Sequence, residues 1–439
     1  MLKITFIGAG STVFAKNVLG DCLLCDAIKN NLEIALYDID QDRLEESEQL
    51  IREINRIYND SKAVIKSYLG VKNRKEAFRG ADFLINAIQV GGYEPSTVID
   101  FEIPKKYGLR QTIADTLGIG GIFRALRTIP VLNEFAEDIM QVCPNAWFLN
   151  YTNPMAMLSN FMQRYTQVKT VGLCHSVQGC ASGLLKALDL PAENFVDKIA
   201  GINHMGWLLE ITDQNGNDLY PLIRERAAKK NAEQKHNDMV RFEYINRFGY
   251  YCTESSEHNA EYNPFFIKSK YPELIDQYNI PLDEYPRRCV KQINDWAKQK
   301  EEIYANGEVK HQRSIEYGSR IIEAMITNTP YKIGGNVLNT GLITNLPSQA
   351  TVEVPCLVDA SGIHPTYVGD LPLQLAAMNS SNIYPQLLTV EAAVTKSRET
   401  LYQAAMMEPH TAAELSIDDI VSMCDEMIEA HNKTGFLSF

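Results

Sequence analysis

The stretch Lys3–Asp38 constrains this chain more than any other. Ile4-Thr5-Phe6-Ile7 is an apolar run of strand length, and Gly8-Ala9-Gly10-Ser11 follows without a break. A helix-like segment leads to about Ile28, and a second apolar run, Ile34-Ala35-Leu36-Tyr37, ends on Asp38. Strand, glycine turn, helix, strand and acid, in that order, form a dinucleotide-binding βαβ unit. Gly8 permits a tight turn. Gly10 has no Cβ, so a pyrophosphate can approach the backbone and sit on the helix N-terminus, beside Ser11. Asp38 is placed to accept ribose hydroxyls and to repel a 2′-phosphate, which selects NAD over NADP. The third glycine of the usual pattern is replaced by Val13. The plain alternative is that Gly8 and Gly10 only turn the chain.

Further apolar runs end in polar residues. Ala81–Ile88 reads as a buried parallel strand that delivers Asn86 and Gln89. Trp147-Phe148-Leu149 delivers Asn150 and Asn153, and Thr170–Leu173 delivers Cys174-His175-Ser176. In a doubly wound sheet the C-terminal strand ends face the ligand crevice. Asn86, Gln89 and Asn150 are therefore expected at the cofactor. Asn153 is expected at a hydroxyl-rich ligand, since amides both donate and accept. Asp115, in the glycine-rich loop Gly108–Gly121, is a catalytic or substrate-binding carboxylate, or simply a helix N-cap. Ile199–Glu210 reads as a single strand carrying His204. Cys174 and His204 together suit a divalent metal, although taken alone such residues are more often a small buried thiol and a hydrogen-bonded core histidine.

Beyond about residue 195 the βα alternation fades, which divides the chain into 1–195 and 196–439. Glu254–Tyr262 is a polar cluster, read as a loop or a site wall. Arg287 and Arg288 follow a proline boundary. Residues 290–327 read as helical, and Val352-Glu353-Val354 belongs to a mixed sheet segment. The expected fold class is α/β, with an N-terminal doubly wound parallel sheet and a C-terminal mixed α/β substrate domain.

The chain has 439 residues and a formal net charge of −13, which argues against nucleic acid or an anionic membrane as partner. Lys3 runs straight into a strand with no leader pattern, and no apolar run reaches membrane-spanning length. Nine cysteines in that setting imply reduced thiols and a cytoplasmic location.

Four motifs in order identify a family: Ile4-Thr5-Phe6-Ile7-Gly8-Ala9-Gly10-Ser11, Asn150-Tyr151-Thr152-Asn153-Pro154-Met155, Cys174-His175-Ser176-Val177 and Gly201-Ile202-Asn203-His204. Together they resemble the NAD- and metal-dependent glycoside hydrolase family four over nearly the whole chain. The resemblance implies a Rossmann domain like that of lactate and malate dehydrogenases, bound NAD, and Mn²⁺ or another divalent metal on Cys174 and His204. It implies hydrolysis of melibiose-type α-galactosides by oxidation at C3, deprotonation at C2, elimination at C1, water addition and re-reduction. His175 stands where phospho-sugar relatives carry an acidic Asp, which makes it the expected acid and fits an unphosphorylated sugar. Tyr262 is the expected base, with Asp115 competing or assisting. A glucoside, or a galacturonide held by Arg287 or Arg288, is the same-family alternative, and a 2-hydroxyacid-type dehydrogenase is the alternative outside it. By analogy the enzyme is a homodimer or homotetramer.

Overall fold

The computed structural model describes residues 1–305 and 309–439, with side chains described except at 297 and 299–305. Among the described residues twelve strands form one sheet: β1 (Leu2–Ile7), β2 (Leu32–Asp38), β3 (Val64–Leu69), β4 (Phe83–Asn86), β5 (Trp147–Asn150), β6 (Lys169–Gly172), β7 (Phe195–Ile202), β8 (Met205–Asp213), β9 (Tyr251–Cys252), β10 (Tyr331–Leu338), β11 (Thr351–Asp359) and β12 (Gly362–Pro365). The order is β3-β2-β1-β4-β5-β6-β10-β11-β7-β8-β9, with β12 paired to β11. Pairs from β3 through β6 are parallel, and every pair beyond β6 is antiparallel. The first six strands thus have the 3-2-1-4-5-6 order of a Rossmann sheet. The expected α/β class, with a mixed C-terminal part, is the one observed.

Side-chain alternation splits the core between the two sheet faces. Ile4, Phe6, Phe83, Ile85 and Leu149 join one apolar cluster, which the helices Thr12–Leu24 and Gln41–Asn59 cover with Val18, Leu19, Leu50 and Ile54. Ile7, Leu84 and Phe148 point the other way, onto the helices Gly118–Val142 and Ile417–Thr434 through Ile122, Leu126, Met423 and Met427.

Two readings of the sequence are corrected. Ile199–Glu210 is not one strand. β7 and β8 form a hairpin with Ile202 opposite Met205, so Asn203-His204 is its two-residue turn, and His204 takes a left-handed φ of 64°. Residues 290–327 are not one helix either. Helices span Glu284–Ala305 and Gly318–Thr327, and the described segment 309–317 between them is not helical. Its bonds go elsewhere: buried Asp21 accepts Ser314 N–H at 2.9 Å, the Ser314 hydroxyl at 2.7 Å and His311 Nε2 at 2.9 Å.

Candidate active site

The glycine turn follows from contact. Gly8 has a φ of 84°, and a Cβ there would lie 2.6 Å from the Ala87 carbonyl oxygen. At Gly10 a Cβ would lie 2.9 Å from both Asp38 Oδ2 and Arg43 Cβ. Asp38 Oδ2 accepts Gly10 N–H at 2.6 Å, and Oδ1 accepts the N–H groups of Ile39 and Asp40. The acid therefore sits against the turn, at the first strand end.

A crevice of about 250 Å³ opens at the C-terminal ends of β1, β4 and β5. Ser11, Gln89, Asp115, Asn153 and His175 line it, together with Arg124, Tyr151 and Tyr285. Asn86 and Asn150 do not. They are fully buried beneath it, with Asn86 Nδ2 donating to Asn150 Oδ1 at 2.8 Å and to Thr152 Oγ1 at 3.0 Å. Their amides lock neighbouring strand ends together below the crevice floor, and Asn86 Oδ1 has no partner among the described residues. Arg287 lies outside the crevice as well. It is half exposed, bonds the Leu282 carbonyl and Glu284, and borders a separate groove with Tyr93 and Val290.

The cation in the crevice is instead Arg124, from the helix Gly118–Val142. Its Nη1 lies 3.6 Å from Asp115 Oδ2, and its guanidinium stacks over Tyr285 at 5.2 Å. Asp115 also accepts from Thr116 Oγ1 at 2.7 Å and Asn153 Nδ2 at 3.4 Å. Arg124 Nε and Asn153 Oδ1 have no protein partner among the described residues. The loop behind Asp115 is held by buried Glu261, which accepts the N–H groups of Thr112, Ile113 and Ala114.

Cys174, His204 and Glu254 each bring one donor atom to a common point, with all three atoms within 4.8 Å of one another. Cys174 follows β6, His204 comes from the β7–β8 turn, and Glu254 lies just after β9 at a φ of 66°. His204 Nε2 is 3.3 Å from Glu254 Oε2, and His204 Nδ1 is 3.3 Å from the Tyr262 hydroxyl. His258 joins the two halves of the site, 3.5 Å from Glu254 and 3.8 Å from Asp115.

Charge supports a cation at this point. Burial, reinforced by Glu353 and Glu254, pushes the Cys174 thiol well above its usual range. Burial lowers His204, which keeps a neutral imidazole able to ligate. Burial works against the Glu254 carboxylate, but the imidazoles of His204 and His258 and the Arg241 guanidinium outweigh it and hold the group at about 2. Burial and the carboxylates of Asp115, Glu261 and Glu254 push the Tyr262 phenol well above its usual range. A divalent cation between the three donors fits this set: it takes a carboxylate and an imidazole as they stand and releases the thiol proton.

His175 follows Cys174 directly in sequence and lines the crevice. Its Nε2 bonds Glu316 Oε2, and its ring packs against Phe14 and Tyr151 at 5.8 and 5.6 Å. Glu254, His258, Arg124 and Glu316 all escaped assignment from sequence. A signal was present for two of them, since Glu254 and His258 belong to the acid- and histidine-rich run already singled out. Arg124 and Arg127 stand out as buried cations in an apolar helix.

The chain belongs to the family 4 glycosyl hydrolases. The family model matches residues 3–190, and the model of the family's C-terminal domain matches residues 199–411. An α-galactosidase of Bacillus subtilis is 63% identical over 431 residues, covering 98% of each chain. An α-galactosidase of Rhizobium meliloti is 33% identical over 98% of this chain and 88% of its own. A 6-phospho-α-glucosidase from gut microorganisms, solved with NAD and Mn²⁺, shares the fold at 21% identity, with a TM-score of 0.79 and 98% of each chain covered.

Proposed function

We propose that this enzyme is an NAD- and Mn²⁺-dependent α-galactosidase acting on melibiose-type sugars. The observation that carries the reading is the full-length likeness to the Bacillus subtilis α-galactosidase. The family's solved relative with NAD and Mn²⁺ supports the cofactors, as do the glycine turn and the Cys174–His204–Glu254 donor group. Bound NAD⁺ and the metal supply hydride acceptance at C3 of the sugar and polarisation of the resulting ketone.

The remaining steps fall to side chains. Gly8, Gly10 and Ser11 receive the pyrophosphate, Asp38 the ribose, and Gln89 the nicotinamide end. Asn153 and Arg124, each with a free polar atom at the crevice, hold sugar hydroxyls. Asp115 already neutralises Arg124, so that guanidinium suits hydroxyls better than a carboxylate or phosphate. Tyr262 accepts the proton from C2; it stands beside His204, and a cation held there would offset the carboxylates that keep the phenol protonated. His175, at the crevice edge, gives a proton to the departing aglycone. Water then adds at C1 while a proton returns to C2, and a bound cofactor that gives the hydride back to C3 would not be consumed.

Among the described residues no helix is long and apolar enough to cross a membrane. The nine cysteines are free and buried, which supports a cytoplasmic location. A homodimer or homotetramer completes the reading; exposed apolar side chains such as Tyr367 and Leu373 support association, and light scattering measures it.

The test is cleavage of p-nitrophenyl α-galactoside with Mn²⁺, NAD⁺ and a reducing agent, and with each left out in turn. Cleavage that needs all three supports the reading. Cleavage indifferent to NAD⁺ and metal overturns it, and steady NADH release without cleavage points to a dehydrogenase.

A further inference from the structure

We infer that Glu316 is the positioning residue of the reaction's proton donor: with Ser314 and Asp21 it fixes the His175 ring so that Nδ1 faces the departing aglycone. This rests on the role of His175 proposed above.

Glu316 lies in the non-helical segment before the helix Gly318–Thr327, more than a hundred residues from His175 in sequence. Its side chain is 8% exposed, whereas that of His175 is 47% exposed. The carboxylate accepts from His175 Nε2, which leaves Nδ1 without a hydrogen bond among the described residues, on a side chain that lines the crevice. Phe14 and Tyr151 hold the faces and edge of the ring, so its rotation is restricted as well. A half-exposed imidazole would otherwise sample several rotamers. The arrangement follows the logic of hydrolytic triads, in which a buried carboxylate holds an imidazole in the direction its chemistry needs.

Glu316 is itself held. Its N–H donates to Ser314 Oγ at 3.1 Å, and Ser314 Oγ donates to Asp21 Oδ2 at 2.7 Å. Asp21 is fully buried in the helix that leaves the glycine turn. It also binds Ser314 N–H and His311, whose ring packs over Gly20 so closely that a Cβ there would lie 2.6 Å from Nε2. The donor side chain is thereby referenced to the same helix whose N-terminus receives the cofactor. In the step concerned, the electron pair left at C2 by deprotonation forms C1=C2, the C1–O bond breaks with its pair going to the aglycone oxygen, and the His175 proton goes to that oxygen.

The readout is dependence on the leaving group. p-Nitrophenolate departs without a proton, whereas the sugar alkoxide of melibiose needs one. Glu316→Ala should lower kcat/KM for melibiose at least about tenfold more than for p-nitrophenyl α-galactoside, within the range of a lost general acid. Glu316→Gln, which keeps an acceptor oxygen, should recover most of the difference. His175→Ala should show the same pattern more strongly. Ser314→Ala should shift the ratio in the same direction by less, and it decides the matter should Glu316→Ala fail to fold. Equal losses on both substrates in the Glu316 and Ser314 variants, with the pattern kept in His175→Ala, overturn this inference alone. No leaving-group effect in His175→Ala overturns the assigned role of His175 and this inference with it.

Discussion

Replacing Glu353 with glutamine removes an acid that the fold holds in its neutral form. Glu353 sits on β11, is 1% exposed, and has two amide donors, Asn336 at 2.9 Å and Asn203 at 3.5 Å, both on Oε1. No donor among the described residues reaches Oε2, and the Oδ1 atoms of Asn203 and Asn336 are likewise without one. Burial outweighs the two amides and raises the group from 4.5 to about 8. Below its ordinary value both folded and unfolded chains are protonated, and the group imposes no penalty. As pH rises towards 8 the unfolded chain releases a proton that the folded one keeps, so stability falls by about 1.4 kcal/mol per pH unit and levels off above. The whole loss is about 5 kcal/mol, which at about 2.1 cal/mol/K per residue is about 5 °C of melting temperature in a chain of 439 residues. Glutamine has the same shape, accepts on Oε1 and carries no titratable proton. Calorimetry of metal-free wild type and Glu353→Gln, from about pH 5 to about pH 9 at one scan rate, separates this group from all others because their contributions cancel in the difference. The melting temperatures should be close at the acid end and diverge in favour of the variant as pH rises. Curves that run parallel across the range refute the reasoning.

Cys174→Ser should lower Mn²⁺ affinity by more than the roughly 10–100-fold of outer-sphere substitutions, since a neutral hydroxyl replaces a thiolate; isothermal titration checks it, and unchanged affinity would remove Cys174 from the metal site. Asp38→Ala should weaken NAD⁺ binding by about 10–100-fold, the worth of a hydrogen bond to a charged group, because both the ribose contact and the brace on Gly10 N–H are lost. Fluorescence titration measures it, and an unaltered dissociation constant places the ribose elsewhere.

How much of this molecule is legible in its sequence follows the range of the forces involved. The parallel half of the sheet is legible because each strand is a short apolar run and each strand end a polar one, a pattern contained in a few residues. Ser11, Gln89, Asn153 and His175 reach one crevice for that reason, and Asp115 joins them from the loop before the helix Gly118–Val142. Asn86 and Asn150 obey the same rule but are buried and bonded to each other, which depends on a pairing 64 residues apart. The β7–β8 hairpin is hidden because its turn, Asn203-His204, lacks glycine and proline and lies in apolar surroundings. The break before Gly318 is hidden because the bonds that cause it come from Asp21, 293 residues from Ser314. Glu316 becomes a partner of the site only through tertiary folding, and no local spacing marks it. Glu254, by contrast, lies in a polar run visible in the sequence, and its role as a third metal donor emerges only when β6, the β7–β8 turn and β9 meet.

The central claim is that a proton leaves C2 of the sugar during hydrolysis. Melibiose cleaved by the loaded enzyme in D₂O, with the released galactose read by NMR, tests it directly. Deuterium at C2 of the product, acquired with turnover and absent from unreacted substrate and from galactose incubated without enzyme, is the predicted result. Galactose that keeps its C2 hydrogen while cleavage proceeds contradicts the elimination route and, with it, the proposed roles of Tyr262 and the bound cofactor.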